Sequence, residues 1–191
     1  MNIAVYCGST LGNDKIFREV AVKLGMWIGK NKHTLVYGGG KSGLMGIVAE
    51  TVLQEGGEVI GIIPEFLCDK ELKNIDVTEL QIVQNMSERK KRMADLSQAY
   101  IALPGGSGTL EEIAEVISWS KLGQNPHPCI LMNIKNFYEP LKDLFKLMVD
   151  KKFLEQEEFD QILFSDNIDE IENFIKNYKP LKHPIYYVNR K

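Results

Sequence analysis

The chain has 191 residues, 44% of them hydrophobic and 26% charged, which suits one soluble globular domain better than two. Its formal net charge is −3 and its isoelectric point about 5.7, so it lacks the basic excess of a nucleic-acid-binding surface, although a local basic pocket for one phosphate stays compatible. Cys7, Cys68 and Cys129 are scattered, odd in number and without metal-ligand spacing, so they read as buried free thiols of a reducing cytosol.

The opening Met1–Cys7 lacks the basic start of a secretory signal, and no apolar run reaches membrane-spanning length. No membrane partner is expected, and a cytoplasmic location follows by default. Ile3–Cys7 reads as a strand, Lys15–Lys30 has helical spacing, and Thr34–Tyr37 is a second strand ending in Gly38-Gly39-Gly40. Leu44–Glu55 is helical, Glu58–Ile63 a third strand and Leu80–Val83 a fourth. Met86–Gln98 is helical, Tyr100–Leu103 a fifth strand, Thr109–Leu122 helical and Cys129–Asn133 a sixth strand. Phe137–Lys151 and Asp169–Tyr178 are the closing helices. This alternation predicts an α/β fold: a doubly wound parallel sheet with helices on both faces, in a single domain over 1–178. Residues 179–191 carry two prolines and mixed polarity and are expected to form an irregular tail.

Three strands are followed by glycine-bearing turns that open helices: Cys7-Gly8-Ser9-Thr10, Gly38-Gly39-Gly40-Lys41-Ser42-Gly43 and Pro104-Gly105-Gly106-Ser107-Gly108-Thr109. Glycine lets a backbone approach a ligand, and a helix N-terminus offers free N–H groups to an anion. Three such turns at one sheet edge point to a phosphate-bearing ligand. Taken singly, each is an ordinary tight turn. Gly38-x-Gly40-x-x-Gly43 formally matches the dinucleotide fingerprint, but it follows the second strand rather than the first. Gly40-Lys41-Ser42 resembles the end of a P-loop, yet Leu35 stands where that motif needs its first glycine.

Two charged residues fall on apolar helix faces when projected at about 100° per residue. Arg89 lies between Met93 and Leu96, while Glu88, Lys91 and Arg92 point outward and Lys90 sits at the stripe's edge. A guanidinium there must be paired, face a cleft or snorkel to solvent. Glu112 sits beside Val116 and Trp119 at the edge of the face defined by Leu110, Ile113, Val116 and Ile117. A purely structural role would be a first-turn acid favoured by the helix dipole.

Pro104-Gly105-Gly106-Ser107-Gly108-Thr109-Leu110-Glu111-Glu112 matches the PGGxGTxxE signature of the LONELY GUY family. Met86-Ser87-Glu88-Arg89-Lys90 resembles that family's second motif, and the resemblance runs from about Asn2 to about Tyr178. Gly38-Gly39-Gly40, Gly43-Leu44-Met45-Gly46 and Cys7-Gly8-Ser9 look like further family elements. Members are cytokinin riboside 5′-monophosphate phosphoribohydrolases, often mislabelled lysine decarboxylases. The resemblance implies a Rossmann-like fold, a homodimer and hydrolysis of a nucleoside 5′-monophosphate to free base and ribose 5-phosphate; no cofactor is expected, and no metal, because His33, His127 and His183 are far apart in sequence and lack ligand spacing. It makes Arg89 and Glu112 catalytic. It places Lys90, Gly106, Ser107, Gly108, Thr109, Leu110 and Glu111 on the nucleotide, with Gly8, Ser9, Gly39, Gly40, Gly43, Met45 and Gly105 around the phosphate. Glu71 matches an acidic substrate contact, and Ser118 stands where relatives often have threonine. The alternatives are a non-catalytic nucleotide-binding protein and, behind it, a dinucleotide-dependent oxidoreductase. Lysine decarboxylation would need pyridoxal phosphate on a lysine and a partner for its ring nitrogen, and the sequence presents no such constellation. The preferred base, prenylated adenine or plain adenine, is not encoded in any motif.

Overall fold

The apolar runs become one parallel sheet in the computed structural model, which describes residues 1–69 and 73–181. Its strands are β1 (Asn2–Tyr6), β2 (Thr34–Tyr37), β3 (Glu58–Pro64), β4 (Glu79–Val83), β5 (Ala99–Ala102), β6 (Cys129–Met132) and β7 (Ile162–Ser165). They lie in the order β4-β3-β2-β1-β5-β6-β7, every pair parallel. Between them run α1 (Lys15–Lys30), α2 (Gly43–Gln54), α3 (Met86–Leu96), α4 (Ser107–Lys121), α5 (Glu139–Asp150), the single turn α6 (Gln156–Phe159) and α7 (Ile168–Asn177).

Strand side chains alternate between two cores, as the period of two requires. Ile3, Val5 and Cys7 pack with Leu24 and Ile28 of α1, Leu44 and Val48 of α2, and Ile171 of α7. Ala4 and Tyr6 point the other way, onto Met93 of α3, Ile113 and Val116 of α4, and Phe145 of α5. The expected doubly wound sheet with helices on both faces is therefore the observed one.

The order places β1 at the centre, paired with β2 on one side (Ile3 with Leu35) and β5 on the other (Tyr6 with Ala102). The chain winds outward from β1 to β4, then returns to start again at β5. Ligands of open parallel sheets bind beyond the carboxyl ends of the strands at such a reversal. All three glycine-bearing turns follow β1, β2 or β5, so all three converge there.

Most element boundaries agree with the sequence reading to within two residues. The helix expected over Met86–Gln98 ends at Leu96 because Ser97 turns extended and donates its hydroxyl to the Met93 carbonyl. The helix expected from Phe137 starts at Glu139, behind a 3-10 turn at Ile134–Asn136 in which Lys135 adopts a positive φ of 49°. The edge strand β7 and the short α6 were not expected. Lys179–Leu181 have no regular structure, and the rest of the expected tail, 182–191, lies outside the described residues. Among the described residues no helix is long and apolar enough to cross a membrane.

The end of β5 is pinned from behind. Tyr138 is buried and donates its hydroxyl to the Leu103 carbonyl at 2.7 Å, one residue before the Pro104 turn. Burial pushes that phenol's pKa up, so it stays a donor at all working pH. Tyr138→Phe should cost about 1–3 kcal/mol, because the buried carbonyl loses this donor. The melting midpoint, falling by roughly 2–4 °C per kcal/mol at this chain length, checks it.

Candidate active site

The three turns are tied together by backbone hydrogen bonds. Gly8 N–H donates to the Pro104 carbonyl at 3.1 Å, joining the β1 and β5 tips. Leu44 N–H donates to the Gly8 carbonyl at 3.0 Å, joining the start of α2 to the β1 tip. Gly39 is held from its other side, its carbonyl accepting from Asn74 N–H at 2.8 Å. A cavity of about 260 Å³ opens beside Gly8, Gly105 and Gly106, walled by Leu11, Phe17 and Phe137.

The turn into α4 faces outward. Gly106 is the N-cap and supplies no side-chain cap, so the first N–H groups of the helix are left for another acceptor. A Cβ built on Gly106 or Gly108 would meet nothing within 4 Å, and neither has a left-handed backbone. Neither packing nor φ demands glycine at these two positions. Their bare backbone leaves the turn open to close approach, and an uncapped helix end suits an anion. Thr109, by contrast, is buried.

Arg89 and Glu112 meet beside these turns. The Asn85 side chain accepts from Glu88 N–H at 2.9 Å and starts α3 there, which puts Arg89 on its first turn, facing the sheet. Arg89 Nη2 lies 3.7 Å from Glu112 Oε1, with the two side chains 7% and 9% exposed. Arg89 Nη1 also donates to the thioether of Met86 at 3.8 Å. Both charges reach the end of β1. The Cys7 thiol is pushed up by burial, raised further by Glu112 and lowered by Arg89. The Tyr6 phenol is raised by burial and then by Glu112. The sequence reading of Arg89 as core-facing, and of Glu112 at the edge of a buried face, agrees with this burial.

Lys90 takes the neighbouring position. Its ammonium lies 2.7 Å from Glu111 and 3.3 Å from Glu115, across the gap between α3 and α4. The hydrogen bond it donates to Glu111 leads the causes that raise its pKa, so it is held cationic.

The fold brings together Gly8, Ser9, Gly39, Gly40, Gly43, Met45, Lys90, Arg89 and Gly105–Glu112 at one end of the sheet. Ser118 stands apart: it is exposed, lies roughly 16 Å along the helix axis from Ser107 at 1.5 Å per residue, and lines a separate cavity with Ile117 and Phe145. Glu71 lies outside the described residues. Gly38, absent from the expected contacts, sits against the Arg89 guanidinium. Gly38 was marked in the sequence as part of the glycine triplet, but nothing there pointed to a contact with Arg89.

Residues 45–174 match the family model described as "Possible lysine decarboxylase". Among curated proteins, the cytokinin riboside 5′-monophosphate phosphoribohydrolase LOG of Oryza sativa is 39% identical over 93% of this chain and 74% of its own length. The corresponding enzyme LOG1 of Arabidopsis thaliana is 38% identical over 93% of this chain and 84% of its own. The rice protein named "Probable cytokinin riboside 5′-monophosphate phosphoribohydrolase LOGL1" is 48% identical over 75% of this chain, and that match spans only 64% of the rice protein. Among solved structures, the molybdenum cofactor carrier protein of Chlamydomonas reinhardtii covers 92% of this chain and 95% of its own, with a TM-score of 0.69 at 17% identity. That likeness is one of fold.

Gly108→Ala tests the reading of the α4 turn. The substitution should leave the melting midpoint unchanged or slightly raised, since alanine is the better helix former. Titration calorimetry with ribose 5-phosphate should show affinity weakened about tenfold, or about 1.4 kcal/mol.

Proposed function

The chain belongs to the LONELY GUY family, and on that premise we propose that it hydrolyses the N-glycosidic bond of a nucleoside 5′-monophosphate, releasing free base and ribose 5-phosphate. The observation that carries the reading is the buried Arg89–Glu112 pair, at 3.7 Å, beside three converging glycine turns. A sheet that only bound a nucleotide would have no need to hold these two charges out of water beside it.

In this mechanism the uncapped α4 turn and the Gly8–Ser9 tip bind the 5′-phosphate through N–H groups. The anchored phosphate positions C1′, so a nucleoside without it reacts poorly. As the C1′–N bond breaks, positive charge develops on the ribose, and the ionised Glu112 carboxylate stabilises it. Glu112 also orients water and accepts its proton while the water oxygen bonds to C1′. The bond pair leaves with the base, which takes up a proton. Arg89 cannot act as a base, because its proton does not leave at working pH. It fixes Glu112 and offsets negative charge on the departing base.

The description as a lysine decarboxylase fits the chemistry less well. A Schiff-base lysine needs a lowered pKa. Lys90, the lysine between α3 and α4, is shifted the opposite way by its hydrogen bonds to Glu111 and Glu115. Lys90 suits a cationic contact with the nucleotide instead.

The homodimer completes the reading. A second copy packed on α4 would carry its exposed Ser118 toward the neighbouring nucleotide, and Glu71 would serve as an acidic contact to the substrate. Three buried free thiols suit a reducing cytoplasm.

Base release from AMP and isopentenyl-AMP, with adenosine as control, tests the activity. Release from the monophosphates alone is expected. Glu112→Gln should lower kcat by about a hundred- to a thousandfold, the scale for losing one preorganised electrostatic group, while the fold persists. Near wild-type turnover in that variant would remove Glu112 from the mechanism. Arg89→Ala should also lose turnover; loss of stability alone would reduce Arg89 to a structural residue. Light scattering should give a dimer, and Ser118→Ala should raise KM with kcat little changed.

A further inference from the structure

Gly38 follows β2 directly, with a backbone outside the left-handed region, so its φ does not require glycine. Its missing side chain is what the structure uses. A Cβ there would stand 2.0 Å from Arg89 Nη2 and 2.9 Å from Arg89 Cζ, with the Met45 sulfur at 3.1 Å. All three are ends of flexible side chains, and no backbone atom is among them. Substitution at Gly38 therefore moves the guanidinium rather than the fold.

The atom most displaced is also the one that faces Glu112. To regain ordinary contact of about 3.5 Å, Nη2 must retreat by roughly 1.5 Å. Met86, bonded to Nη1, and the buried Met45 close off two of the other directions. We propose that Gly38 is a positioning residue: its bare backbone is the seat that holds the Arg89 guanidinium against Glu112 in the geometry hydrolysis needs.

This rests on the phosphoribohydrolase reading, so the test separates the two. Gly38→Ala, Arg89→Ala and the double variant are compared with wild type on AMP and isopentenyl-AMP, with melting curves and a crystal structure of Gly38→Ala. Gly38→Ala is expected to melt near wild type, keep KM within about threefold and lose about 100-fold in kcat, the scale of a 1 Å misplacement. The double variant should be no slower than Arg89→Ala, because both substitutions remove one interaction. Wild-type kcat in Gly38→Ala, rate losses that multiply in the double variant, or failure of Gly38→Ala to fold would each overturn the proposal. If wild type releases base from neither monophosphate, the activity reading has failed instead. The crystal structure then decides the seat: a guanidinium shifted by 1 Å or more upholds it, and an unmoved one overturns it.

Discussion

Two opposite charges are held out of water where the sheet reverses its strand order, and much of the local structure answers that constraint. An arginine and a glutamate taken from solvent each carry a desolvation cost of several kcal/mol, offset only by good geometry and further polar contacts. Here the geometry comes from separate pieces of chain. Asn85 sets where α3 begins, so Arg89 turns inward on its first turn. The turn ending at Gly106 sets where α4 begins, so Glu112 lies on its buried face. Tyr138 pins β5 just ahead of that turn, and the Gly8–Pro104 bond fixes it to β1. A shift in any of these anchors would be felt as a change in one distance, that between Nη2 and Oε1.

The sheet was legible because its strands are buried on both faces and read as continuous apolar runs. Ile3–Val5 and Tyr100–Ala102 are of this kind. Strand β7 was not, since Ile162–Ser165 is a four-residue edge strand with two of its residues only half-buried. Arg89 was legible because a long charged side chain on an apolar stripe violates the helical period. Gly38 was not, because a close approach between residues 51 positions apart leaves no trace in periodicity. For Ser118 the motif gave a place in the pattern, while its distance from the turns within one chain followed only from the length of α4.

Fold and chemistry separate cleanly in this molecule. The carrier protein of Chlamydomonas shares the sheet at 17% identity, while the named hydrolases of rice and Arabidopsis share its sequence at 38–39%. One doubly wound scaffold hosts different ligands because the strand ends are common property and the side chains upon them are not. In the proposed mechanism the side chains that carry the chemistry are a few positions on α3 and the first turns of α4.

The Lys90 clamp has a kinetic consequence. With Lys41 balanced by Asp76, the α3 and α4 side of the site carries Arg89 and Lys90 against Glu111, Glu112 and Glu115, two cations against three carboxylates, on a chain of net charge −3. Such a surface does not draw a phosphate dianion from a distance, because long-range steering needs an excess of the opposite charge. In the proposed mechanism, capture falls instead to backbone N–H groups that act only within the last few ångströms. On the proposed reading, substrate encounter should therefore be unassisted and mildly opposed by like charge, and should speed up modestly as salt screens that repulsion, the reverse of enzymes whose basic funnels lose their pull in salt.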